Sequence, residues 1–366
     1  MAKNVVVLAD GTGQKGGRGH NTNIYRMYSM LVDRTPDQAV FYDAGVGTGR
    51  RKLTGNATGR GFSQKVRNAY QFIFEQYQIG DRIFLIGFSR GAATVRSLAS
   101  FLDHFGILPR SRPELIDEAF GIYKKRRRRD FDSRLDTFVR GNGTHHTDIE
   151  FLGCFDTVAA LGFPRPTVAA FVDVIPGFRW KFHDLDLSSN VRYAYQALAI
   201  DDERKTFHPL LWNYPPPVRT QEMKQVWFVG MHSDVGGGYQ TGQHLSSIPL
   251  VWVLEQAHNR GLSIKSGLLP IYDEPDAEMH DSRGRFTTRF YSRLQRSWDS
   301  NRADHPVVHD SVVHRQKAGG LVEHHPTKVS EEPYDPWLLK LRDYQVEPWT
   351  HVESQTWYDP VAEAGR

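Results

Sequence analysis

A single cysteine, Cys154, stands among 366 residues. One thiol excludes an intrachain disulfide and any cysteine-rich metal site, so nothing in the chain demands an oxidising compartment. Apolar runs are short. None approaches the roughly 20 residues of a membrane span, and the apolar part of the amino terminus is too brief for a secretory leader. The expectation is a protein that is cytoplasmic as synthesised, with export by a machinery that needs no cleaved signal compatible with the same sequence. An excess of one charge sign is also missing: 46 Lys and Arg face 42 Asp and Glu, a net charge of +4. No basic stripe with interleaved aromatics occurs, so no specific nucleic-acid partner is expected. The local exception is the run 124–129, Lys-Lys-Arg-Arg-Arg-Arg. It reads as a solvated helix face in an insertion, with peripheral contact to an anionic membrane as the functional alternative.

What is present is the makings of a large core. Hydrophobic residues are 39% of the chain and aromatics 12%, against 24% charged, the balance of a soluble globular protein. The most informative stretch is 81–96, in which the apolar run Ile83, Phe84, Leu85, Ile86 leads through Gly87-Phe88-Ser89-Arg90-Gly91 into a helical pattern from Ala92 to Leu102. A strand, a G-x-S-x-G turn and a helix in that order are the context of a nucleophile elbow, in which a serine sits at the tip of a strained turn and glycines two before and two after avoid collisions. The helix behind it directs its N–H groups toward the serine, and the backbone N–H of Arg90 becomes a donor for an oxyanion.

Residues 4–9 are a β-branched apolar run that delivers Asp10-Gly11-Thr12-Gly13 to a sheet edge. An amphipathic stretch at 23–32, a short strand at 39–42 and a helix at 62–77 follow, so the chain runs strand, helix, strand, helix, nucleophile strand. That alternation predicts an α/β fold with a mostly parallel sheet and helices on both faces. In an α/β-hydrolase the oxyanion loop follows the strand two before the nucleophile strand, so Gly11 or Thr12 would supply the second oxyanion donor. Residues 103–148 read as an insertion. Residues 150–155 resume the sheet and end in Asp156. The segment 163–187, rich in proline and aromatics, reads as an arm or lid. Residues 191–200 read as helical and run into Asp201, and 225–231 form the last clear strand, delivering His232 and Asp234. A helix at 248–260 closes a core spanning 1–260, and 261–366 are expected to pack around the outside as a C-terminal extension.

Five segments together resemble one family. They are Leu8-Ala9-Asp10-Gly11-Thr12 with Thr22-Asn23, Gly87-Phe88-Ser89-Arg90-Gly91-Ala92, Cys154-Phe155-Asp156-Thr157-Val158 with Leu161-Gly162, Ala197-Leu198-Ala199-Ile200-Asp201 with Arg204 and Phe207, and Val226-Trp227-Phe228-Val229-Gly230 with His232-Ser233-Asp234-Val235-Gly236-Gly237-Gly238-Tyr239. In this order they are similar to the α/β-hydrolases typified by type VI secretion phospholipase effectors and their bacterial and fungal relatives. The resemblance implies the hydrolase fold, a serine-hydrolase site needing no cofactor, and acyl esters as substrates, with phospholipids first.

Ester cleavage by serine needs a base, an acid that holds the base in one tautomer, and oxyanion donors. Ser89 is the candidate nucleophile. His232 is the candidate base, because it follows a strong strand and precedes three glycines that allow close backbone approach. For the acid, direct delivery from a strand favours Asp156 over Asp201, whose other role would be capping or pairing with Arg204. Asp234 is expected to brace the glycine loop and Asp10 to orient the oxyanion loop. Two other readings stay open: Asp10, Asp43, Asp156, His232 and Asp234 converging as hard-cation ligands of a metal-assisted phosphoesterase, and a binding protein on a decayed hydrolase site.

Overall fold

The computed structural model describes residues 2–11, 16–17, 20–45, 59–158, 184–239, 244–265, 274–281, 292–319, 321–325, 328–341 and 343–351. Thr12 and most of the arm expected at 163–187 lie outside the described residues. The centre is an eight-stranded sheet in the order β10-β7-β6-β5-β4-β3-β1-β2, and every neighbouring pair is parallel. Its strands are β1 (Asn4–Ala9), β2 (Gln38–Asp43), β3 (Arg82–Phe88), β4 (Ile149–Phe155), β5 (Val191–Ala199), β6 (Glu222–Phe228), β7 (Val307–His309) and β10 (Gln345–Glu347). The short β8 (Leu321–His325) and β9 (Lys328–Pro333) form a separate antiparallel hairpin.

A parallel sheet must be covered on both faces, which is why β1 reads as an unbroken apolar run. Its odd residues Val5, Val7 and Ala9 enter one core with α2 (Gly59–Gln76), α3 (Arg90–Phe105) and α4 (Leu115–Tyr123). Val6 and Leu8 enter the opposite core with α1 (Asn23–Met30) and α7 (His244–His258). α1 is started by Thr22, whose hydroxyl accepts from the Tyr25 N–H at 3.3 Å, a side-chain cap on an otherwise orphan donor. α3 is buried along nearly its whole length, as expected for the helix at the middle of the sheet. It stops at Gly106 (φ 61°), whose N–H returns to the Leu102 carbonyl at 2.8 Å.

Two expectations are corrected. Residues 191–200 are not a helix but β5, paired between β4 and β6. Alanine, glutamine and leucine favour a helix locally, yet a segment buried on both faces carries no period to separate strand from helix, and pairing on both sides decides. The C-terminal extension also does more than wrap the outside: β7 and β10 lengthen the sheet beyond β6, and α8 (Asp310–Lys317) packs behind β7. The insertion at 103–148 holds α4 and α5 (Phe131–Asn142), and the basic run forms the turns between them. Among the described residues no helix is long and apolar enough to cross a membrane.

Candidate active site

The chain lays β2 on one side of β1 and then β3, β4, β5 and β6 successively on the other. Strand order therefore reverses between β1 and β3, and the crevice at the carboxyl ends of strands near such a switch point is where open α/β sheets bind ligands. Asp10 follows β1, Ser89 follows β3, Asp156 follows β4, Asp201 and Asp202 come just after β5, and His232 opens the short helix α6 (His232–Gly236) after β6.

Ser89 has φ 58° and ψ −119°, a sparsely populated conformation for a residue with a side chain. Its N–H is tied to the Phe155 carbonyl at 2.9 Å. A Cβ on Gly87 would stand 2.5 Å from the Gly91 carbonyl oxygen, and one on Gly91 would run into the Ala9 carbonyl of β1. Both glycines are thus required by close packing of strand, turn and helix. Arg90 is the first residue of α3, so its N–H belongs to the helix end nearest the serine.

The hydroxyl of Ser89 lies 2.8 Å from Nε2 of His232, and Nδ1 of His232 lies 2.6 Å from Oδ2 of Asp156. The contact requires Nδ1 to carry the proton and Nε2 to face the hydroxyl as acceptor. All three residues are buried, with Ser89 7% exposed and Asp156 fully enclosed. Asp156 also has a left-handed φ of 42°, a conformation more easily adopted by aspartate than by most residues. Its carboxylate takes the Ala199 N–H at 3.1 Å and a bidentate fork from Arg296, at 2.6 Å to Oδ1 and 2.8 Å to Oδ2. Burial works to raise the Asp156 pKa, but the Arg296 charge and hydrogen bonds, with His232, outweigh it and hold the carboxyl far below the usual carboxylate range. Burial pushes the His232 imidazole down, against the opposing pull of Asp156. The setting as a whole thus favours the neutral imidazole.

Asp201 is not at the imidazole. Its Oδ2 accepts the Gly230 N–H at 2.7 Å and the Tyr334 hydroxyl at 3.0 Å, and burial pushes its pKa up to about 7. Asp201 follows a strand just as Asp156 does, so delivery from a strand does not separate the two; the hydrogen bond to His232 does. Asp234 accepts from the Met231 and His280 N–H groups and pairs with the His280 ring at 2.7 Å, bracing the turn into α6. Asp10 accepts from the Thr22 hydroxyl at 2.8 Å and the Tyr42 hydroxyl at 2.7 Å. Its other oxygen takes the Gly11 N–H at 2.6 Å, which corrects the expectation of Gly11 as an oxyanion donor: the turn closes on the Asp10 carboxylate instead. Of the five residues weighed as cation ligands, Asp156 and His232 bond to each other, while Asp10, Asp43 and Asp234 are held by other groups, Asp43 by Lys65 at 2.6 Å. Among the described residues no cluster of three or more such side chains is placed to hold a metal.

Three contributors were given no role at the site by the sequence, although Phe207 is among the residues that carry the resemblance. Asp202, doubly bonded by Arg204, accepts the backbone N–H of His232 at 3.1 Å. Phe207, stacked beneath the Arg204 guanidinium at 3.6 Å, presents its edge or face at right angles to the His232 ring, 5.2 Å away, with Phe88 on another side at 4.7 Å. Arg296 comes from the far part of the chain, where one arginine among several in a polar stretch looks like any surface residue.

The chain is 27% identical over 245 residues to the uncharacterized protein YEL023C of Saccharomyces cerevisiae, covering 58% of this chain and 33% of that protein. Among solved structures, an uncharacterized protein from Pseudomonas aeruginosa matches over 72% of this chain and 46% of its own, with 18% identity and a TM-score of 0.44. The Tle1 effector bound to the VgrG spike of the type 6 secretion system matches over 65% and 51%, with 19% identity and a TM-score of 0.36. The chain thus spans a third of the yeast relative and about half of the two solved chains. Residues 3–256 match the family model described as T6SS phospholipase effector Tle1-like, catalytic domain, and with more than half of its length so matched the chain belongs to that family.

Proposed function

We propose that the protein is a serine hydrolase that cleaves acyl esters, phospholipids first, through an acyl-serine intermediate. The observation that carries this reading is the unbroken hydrogen-bond chain from Ser89 through His232 to Asp156, set at the sheet's switch point; membership of a phospholipase family supports the lipid substrate. His232 Nε2 takes the Ser89 proton as Oγ attacks the ester carbonyl, and the resulting oxyanion is met by the Arg90 N–H and the amino end of α3. The imidazolium, stabilised by Asp156, returns its proton to the leaving alcohol. Water then repeats the sequence on the acyl-serine, releasing the acid and restoring Ser89.

Replacing Ser89 by Ala in an otherwise folded protein is expected to lower turnover of an activated ester by several orders of magnitude, and to abolish labelling by a fluorophosphonate that modifies the wild type. Turnover unchanged in the folded variant would falsify the reading.

A further inference from the structure

The geometry points to Arg296 as a positioning residue for the acid of the site, so that the machinery extends beyond the stretch 3–256 that matches the family model. This rests on the proposed role of Asp156 and extends it. The carboxylate of Asp156 meets four donors: the Ala199 N–H and Arg296 Nη1 at Oδ1, and the His232 ring and Arg296 Nη2 at Oδ2. Removing the fork leaves Oδ1 with one donor and lets the carboxylate turn about its last side-chain bond, which moves the oxygen facing His232. The guanidinium is itself fixed, because Nη1 also donates to the Ala199 carbonyl at 2.5 Å and Nη2 to the Phe207 carbonyl at 2.8 Å. Arg296 therefore braces the end of β4, the end of β5 and the loop whose Phe207 ring walls the base.

Only a planar fork can span these acceptors; a lysine would keep the charge as a single point. The charged groups around the imidazole are Asp156, Asp202, Arg204 and Arg296. Arg204 already neutralises Asp202, which leaves Arg296 to balance Asp156. A cavity of about 680 Å³, lined by Arg296 together with Met231, Gln295 and Tyr334, reaches this brace from outside.

The test uses the full chain with two variants, Arg296→Lys and Arg296→Gln, each compared with wild type for fold by circular dichroism, for kcat and KM, and for pH profile. A shift of an ångström in a catalytic group costs about a hundredfold, so kcat is expected to fall on the order of 10- to 100-fold in both, with KM little changed. Arg296→Gln removes a positive charge from the Asp156–His232 pair, which then holds its proton to higher pH whichever residue carries it. Its acid limb of kcat/KM should move up, and that of Arg296→Lys should move less. A third variant, Arg296→Ala, checked for fold in the same way, should regain part of its lost turnover when guanidinium ion is added at a concentration that leaves the fold intact, entering by way of the cavity. Wild-type kcat and an unmoved limb in folded variants would overturn the inference, and so would loss of fold in both, which would make Arg296 a prop of the structure. Fluorophosphonate labelling of Ser89 in the wild type separates these results from failure of the serine-hydrolase reading itself, in which no labelling occurs.

Discussion

His232 is held between a buried setting that disfavours its charged form and an aspartate that favours it, and the first is the larger. A base must be neutral to accept a proton, so the acid limb of kcat/KM is expected below the ordinary histidine value of 6.5, with a plateau through neutrality. Replacing Asp156 by Asn withdraws the opposing pull and leaves the ring free to present the wrong tautomer. A loss of about ten-thousandfold in kcat is expected, the scale seen when a triad acid is made an amide. Asp201→Asn should lose far less, because an amide oxygen can still accept from Gly230 and Tyr334. The opposite ranking would transfer the acid's role to Asp201. The same substitution has a stability signature. The folded-state pKa of Asp201 is raised from 3.8 to about 7, so its ionisation weakens the wild-type fold as pH rises through that window. The gain in Tm on Asp201→Asn should accordingly be greater at pH 8 than at pH 4, and thermal melts at the two pH values measure it.

At the scale of elements, the elbow works because β1, β3 and α3 approach more closely than side chains permit. Gly91→Ala places a methyl group against the Ala9 carbonyl of β1, and backbone on both sides must give way. Overpacking of this kind costs about 1–3 kcal/mol, and displacing the turn should reduce activity far more than that loss of stability alone; chemical denaturation and ester turnover on one preparation check both. This element was legible in the sequence because the run before Ser89 is apolar on both faces and the two glycines have a steric reason to be there. The strands β1 and β4, with Asp156, were legible for the same reason. β5 was not, since a doubly buried segment of alanine, tyrosine and leucine has no period. The three-residue strands β7 and β10 were not, because nothing in so short a stretch separates a strand from a loop. Arg296 is 140 residues from Asp156 in sequence, and only the fold creates their relation.

For the molecule as a whole, the proposed phospholipid substrate makes a testable claim about how the site meets a lipid surface. In the basic run Arg126 is bound to Asp184 and Arg128 to Asp130, while Lys124, Lys125, Arg127 and Arg129 are exposed. Each cation that reaches an anionic bilayer contributes about 1 kcal/mol, weakened by salt. Replacing these four by Gln should slow fatty-acid release from anionic vesicles by at least about tenfold at low salt and leave hydrolysis of a short soluble ester unchanged. Hydrolysis confined to short esters and indifferent to vesicles would replace the phospholipase reading with that of a soluble esterase. The long reach of the brace also has a consequence in time. A chain emerging from the ribosome at about 5–20 residues per second exposes Ser89 and His232 several seconds before Arg296. Over that interval Ser89 and His232 are present while Asp156 waits for its partner, and β6 is an open edge until β7 arrives. On the proposed serine-hydrolase reading the site is completed late in synthesis, and ester turnover by ribosome-bound chains should rise on the order of 10- to 100-fold once residues beyond Arg296 have cleared the exit tunnel.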